Sequence, residues 1–93
     1  MANRRWVRIC GDGCLYSGAC LVHTIIVYPP TAADYSIIYD GRDTTSGKVF
    51  CSVYCSASNT WKLNLGQGVS FDRGVYVDGK DADVETTIVF TPL

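Results

Sequence analysis

Hydrophobic and polar residues alternate along most of this chain, and a period of two is the signature of strands. In "KVFCSVYC", residues Val49, Cys51, Val53 and Cys55 fall on one face, with Phe50, Ser52 and Tyr54 on the other. "YSIIYD" sets Tyr35, Ile37 and Tyr39 against Ser36, Ile38 and Asp40, and "WKLNL" sets Trp61, Leu63 and Leu65 against Lys62 and Asn64. "CLVHTIIVY" is apolar or β-branched at nearly every position, which reads as a strand buried on both faces, with Leu21, His23, Ile25 and Val27 in one row. "GVYVDG" and "VETTIVFT" complete the series, the last with Thr86, Ile88 and Phe90 on one side.

Turn signals separate these runs about every ten residues: Gly11-Asp12-Gly13, Ser17-Gly18, Pro29-Pro30, Asp40-Gly41, Ser46-Gly47, Gly66 to Gly68 and Asp78-Gly79 among them. That spacing is the one expected of a sandwich or barrel. No window of helical length carries a 3.6-residue stripe. The pattern predicts an all-β, single-domain antiparallel β-sandwich of about seven or eight short strands, with a jelly roll as one way to connect them. Residues 9–93 are expected to form the domain, and residues 1–8 a basic N-terminal arm.

Composition sharpens this in two ways. A chain of 93 residues is near the lower end of what builds a sufficient core alone, so a staple or association with copies is a common supplement. Hydrophobic residues make up 47% and charged residues only 18%, with six tyrosines and two tryptophans, which suits a subunit that hides part of its exterior against partners. The formal net charge of −1 gives no overall field toward nucleic acid or an anionic membrane. No run approaches the roughly 18 apolar residues of a membrane helix. Gly11-Asp12-Gly13 interrupts the beginning that could have served as a signal peptide. The chain is therefore expected in a cytoplasm, with its five cysteines reduced.

Those cysteines are the first candidate for chemistry. "RICGDGCLYSGAC" places three of them within eleven positions, and Cys10, Cys14, Cys51 and Cys55 form two C-x-x-x-C pairs. Four residues along a strand separate Cα atoms by about 13 Å. Sulfurs sharing one zinc, at Zn–S bonds of about 2.3 Å, lie within about 4 Å of each other. A disulfide likewise wants Cα atoms under about 7 Å apart. Cys51 and Cys55 can do neither. Cys10 and Cys14 flank a turn and form the one local pair that could close, but the expected role of the cluster is packing, as small buried apolar residues.

His23 is the only histidine, with Cys20 on the opposite face of its strand, so a satisfied interior or interface histidine is expected rather than a base. Asp81, Asp83 and Glu85 alternate in "DGKDADVE", but the ligand order and glycine of a calcium loop are missing, and a solvated loop is expected. "GDG" and "GQG" precede no helix, so no phosphate loop is present. No catalytic residue, cofactor or metal ligand is expected. Arg4, Arg5 and Arg8 beside Trp6 could meet phosphate; the expected role of this arm is a solvated or subunit-docking end, with no nucleic acid bound.

Four stretches carry a resemblance: "CLVHTIIVYPP", "YSIIYDGRDTTSGKVFCSV", "VSFDRGVYVDG" and "VETTIVFTPL". In this order, over roughly residues 14 to 92, they resemble small all-β structural proteins of tailed bacteriophages, most closely capsid decoration (cement) proteins. The leading cysteines and the Arg-rich arm fall outside that pattern. The resemblance implies a virion structural protein on the capsid surface, made in the host cytoplasm. It implies a homotrimer that binds the major capsid protein and stabilises contacts between capsid subunits, with no catalytic residues. Trp6 would anchor such docking, and Arg4, Arg5 and Arg8 would pair with capsid carboxylates. Two other readings stay open: a tail, neck or fibre-associated module, and a carbohydrate- or receptor-binding sandwich using Trp61, Tyr76 and Tyr54.

Overall fold

A computed structural model of the chain describes residues 3–80 and 82–93. Eight strands follow in order: β1 (Arg5–Cys10), β2 (Gly13–Ser17), β3 (Cys20–Tyr28), β4 (Asp34–Asp40), β5 (Lys48–Cys55), β6 (Trp61–Phe71), β7 (Gly74–Gly79) and β8 (Glu85–Pro92). No helix occurs among the described residues. The strands form two four-stranded antiparallel sheets, ordered β1-β8-β3-β6 and β2-β7-β4-β5. The pairs β1·β8, β2·β7, β3·β6 and β4·β5 are those of one long hairpin rolled on itself, which is the strand order of a jelly roll. Only the β4–β5 link stays within a sheet; every other connection crosses between sheets. The Cα radius of gyration, 12.2 Å, matches the value of about 12 Å expected of one compact domain this long.

The core lies between the inner faces. One sheet supplies Cys20, Val22, Ile25, Val27, Phe71, Ile88 and Phe90, and the other supplies Leu15, Ile38, Val53, Val75 and Val77, all buried. The expected rows hold for "WKLNL", whose Trp61, Leu63 and Leu65 pack partly buried against this core, and for Thr86, Ile88 and Phe90 of β8.

Two bulges change the expected faces. In β3 the pairing slips between Val22 and Thr24 against both neighbours, so one extra residue, His23, enters the strand. Cys20 and Val22 therefore point inward together with Ile25 and Val27, whereas Leu21 lies in a half-exposed row. In β5 the slip lies opposite Ile38/Tyr39. Phe50 turns inward onto Phe71, with ring centroids 5.0 Å apart, and Val49 moves to the outside beside Tyr39. An inserted residue reverses the alternation beyond it.

The N-terminal arm is also corrected. Residues 5 to 8 lie in β1, paired from Arg5↔Phe90 to Cys10↔Glu85, and no break occurs at residue 8. Val7 and Ile9 point toward the core, and that burial holds the segment against β8.

Two hydroxyls enter the core unsatisfied: Ser36 Oγ and Thr86 Oγ1 are fully buried and have no hydrogen-bond partner. Such a group costs about 1–3 kcal/mol. Thr86→Val keeps the shape and removes the hydroxyl, so it should raise stability by about 1 kcal/mol, or about 4–8 °C in Tm for a domain this size. Ile88→Ala should cost about 2–5 kcal/mol. Thermal unfolding of both variants checks the pair, and a lowered Tm for Thr86→Val would show that its hydroxyl is satisfied.

Candidate binding surface

β4 is the strand that sets the surface apart. Its inner face carries Ser36, Ile38 and Asp40, while its outer face carries Tyr35, Ile37 and Tyr39. The bulkier apolar set thus faces away from the core. Register spreads it sideways: Tyr35 sits opposite Tyr54 on β5, Ile37 opposite Ser52 and Asp78, and Tyr39 opposite Val49 and Tyr76. Cys14 of β2 extends the row beyond Tyr76. Four of the six tyrosines meet on this one face. Tyr54 is 69% exposed, Val49 58% and Tyr35 42%.

Local contacts hold the rings in place. Tyr39 and Tyr76 meet edge to face, with centroids 6.2 Å apart and planes 72° from parallel. The Tyr76 hydroxyl donates to Asp12 Oδ2 at 3.4 Å. Partial burial, together with the negative charge of Asp12, raises the Tyr76 pKa above its usual value. The Lys80 ammonium lies 5.6 Å from the centre of the Tyr35 ring and donates to Asp78 at 3.1 Å. That hydrogen bond, with the Asp78 charge, raises the Lys80 pKa, so Lys80 stays cationic near neutral pH. The result is an aromatic band with one cation and two carboxylates at its rim.

The residues expected to dock a partner lie on the other sheet. Arg4 and Arg5 are exposed, and Trp6 is 69% exposed opposite Val89. Arg8 is already engaged, donating to Glu85 Oε1 at 2.9 Å across the β1–β8 pair. Trp6 therefore stands on a fixed strand edge, with one of the arginines neutralised locally. Of the aromatics weighed for stacking on sugars, Trp61 packs against the core, whereas Tyr54 and Tyr76 share the aromatic band.

The remaining candidates resolve one by one. Cys20 and Cys55 are buried and Cys51 half-buried, as the packing reading requires, but Cys10 and Cys14 are exposed. Cys10 shares the outward row of Trp6 and Arg8, and Cys14 lies on the outer face of the opposite sheet. The two thiols leave the sandwich on opposite sides, and all five cysteines are free. Burial, aided by the charge of Asp40, pushes the Cys20 pKa up to about 11, and burial also raises that of Cys51.

His23 is satisfied on both nitrogens. Nδ1 lies 3.2 Å from the Gly66 carbonyl, so it donates there, and Nε2 lies 2.7 Å from Thr91 Oγ1. The ring fits because β6 loops out opposite it through Gly66 and Gly68, with φ of +63° and +116°. A Cβ on Gly68 would stand 2.9 Å from Leu21 Cβ and 3.1 Å from His23 Cε1. Sequence reading found the histidine but not this loop, because its partners lie 43 and 68 residues away.

Asp83 accepts from Thr31 Oγ1 at 3.4 Å and Glu85 binds Arg8, so these two carboxylates face different partners; Asp81 lies outside the described residues. Among the described residues no group of three or more His, Cys, Asp or Glu is placed to hold a metal ion.

No family model, curated protein or solved structure matches this chain.

Thiol reactivity tests the placement of the cysteines. At pH 8, native protein treated with iodoacetamide should label Cys10 and Cys14 first and leave Cys20 and Cys55 unmodified until the chain is unfolded, as peptide mass spectrometry would show. Dithiothreitol or EDTA should leave Tm unchanged; a fall of many degrees would mean that a bridge or metal holds the fold.

Proposed function

We propose that this chain is a virion structural protein, a capsid decoration protein that adheres to the assembled phage head through the outer face of β2-β7-β4-β5. One observation carries the reading: β4 turns Tyr35, Ile37 and Tyr39 outward and keeps Ser36 and Asp40 on the core side. Folding alone favours the reverse, since burying apolar area stabilises by about 25 cal/mol per Å². A face kept aromatic against that preference is a face that becomes covered. Tyrosine suits the task because it brings a large, stiff contact area at little entropic cost and leaves a hydroxyl for the rim.

The chemistry of adhesion follows from the surroundings. Tyr54 and Tyr35, side by side, offer the kind of aromatic anchor whose truncation at protein interfaces costs about 2 kcal/mol or more. Lys80, Asp78 and Asp12 supply oriented polar groups around them. Trp6, Arg4 and Arg5 form a second, smaller contact on the far sheet, suited to an adjacent subunit of the major capsid protein. A binder that recognises only the assembled shell stabilises it by mass action. The resemblance in "YSIIYDGRDTTSGKVFCSV" and "VSFDRGVYVDG" supports the same assignment.

A carbohydrate-binding role has one observation in its favour, the pair of exposed rings Tyr35 and Tyr54 beside Asp78 and Lys80. Glycan binding by the isolated protein would favour it.

Quantitative mass spectrometry of purified virions tests the proposal. Hundreds of copies relative to the major capsid protein are expected; a handful of copies would place the chain in the tail or neck, and its absence would end the virion reading. Tyr54→Ser should lower affinity for the head about thirtyfold, the equivalent of 2 kcal/mol, with Tm nearly unchanged. Undiminished occupancy would remove the aromatic band from the interface.

A further inference from the structure

The four sheet edges of this sandwich are not equally protected. Exposed edges offer unpaired N–H and C=O groups to any other strand, and proteins guard them with charge, bulges, glycine or brevity. β1 carries Arg5 and Arg8; β6 carries Lys62 and the loop at Gly66 and Gly68; β2 has only five residues, with a slip in the middle. β5 is guarded only at its start, by Lys48 and the bulge at Phe50. Its second half, Cys51 to Cys55, is regular and has no charge, proline or glycine.

We propose that this half of β5 pairs with the same segment of a second copy, joining two sandwiches through a continuous eight-stranded sheet. A second copy suits this edge because the segment brings no charge to the contact and its side chains are complementary in size. In an antiparallel pair, residues directly opposite share a face. Cys51, Val53 and Cys55 face inward and Ser52 and Tyr54 outward, and a two-fold axis at Val53 sets Cys51 opposite Cys55, Ser52 opposite Tyr54, and Val53 opposite itself. A large ring meets a small hydroxyl on the outer face, and thiols meet on the inner one. An axis at Ser52 would set Tyr54 against the inward-turned Phe50. Self-pairing at β1 would add further guanidinium groups of like charge to one edge, whereas β5 brings no charge to the contact. The pairing also sets the two aromatic bands side by side, because Tyr54 stands next to Tyr35.

The inference stands apart from the virion assignment and departs from the homotrimer that the resemblance implies, and purified protein tests it. Sedimentation over increasing concentration should show twice the chain mass, and Ser52→Lys, an exposed outward position, should weaken the dimer at least tenfold. Asn64→Lys on the β6 edge should leave it unchanged. In wild-type protein, hydrogen exchange of β5 amides should slow several-fold as the concentration rises, with β1 and β6 unaffected. A monomer at every concentration, a trimer, or a dimer that Ser52→Lys leaves intact with β5 unprotected would overturn the proposal.

Discussion

The β2-β7-β4-β5 sheet turns on the two faces of β4. The strand runs between β7 and β5, and of its inward residues only Ile38 is a large apolar group. The opposing sheet makes up the difference with Ile25, Val27, Ile88 and Phe90, and the turned-in Phe50 fills against Phe71. Asp40 at the end of β4 does another job, accepting the backbone N–H groups of Asp72 and Arg73 at 3.1 and 3.0 Å. That ties the β6–β7 turn to β4, and the Gly41 N–H to the Gly74 carbonyl and Arg73 to the Ser46 carbonyl complete the end of the sandwich. Asp40 on the inner side of β4 thus anchors the β6–β7 turn, while Tyr35, Ile37 and Tyr39 lie on the outer side.

Much of this was legible in the sequence, and the reasons differ by element. Alternation in "YSIIYD", "WKLNL" and "VETTIVFT", with turn residues about every ten positions, is enough to read an all-β sandwich, because strand period and turn chemistry are local properties. The bulges were not legible. His23 and Phe50 are inserted residues whose effect depends on register with distant strands, and nothing local marks them. β1 was hidden for a different reason: Arg5, Trp6 and Arg8 dominate "RWVRIC", and the inward Val7 and Ile9 between them are few. Its partner, β8, lies at the other end of the chain. The thiols divided in the same way, with Cys20 and Cys55 placed by burial and Cys10 and Cys14 placed outside by the alternation of two short strands.

A jelly roll hosts many unrelated activities, so the fold by itself assigns none. What narrows the choice here is the arrangement of side chains on it: an aromatic face, held by ring contacts and hydrogen bonds on a sheet, bordered by a strand edge whose second half is uncharged. Preformed surfaces of this kind lose little entropy on contact. Face and edge adjoin at Tyr54, so edge pairing would widen the face without covering it.

The claim beneath all of this is that the outer face of β4 is covered in the working assembly. Hydroxyl-radical footprinting, read residue by residue on free protein and on protein mixed with the phage head proposed as its partner, tests that most directly. Oxidation of Tyr35, Tyr54 and Val49 should drop several-fold on the particle. Equal oxidation of these three in both states would contradict the account.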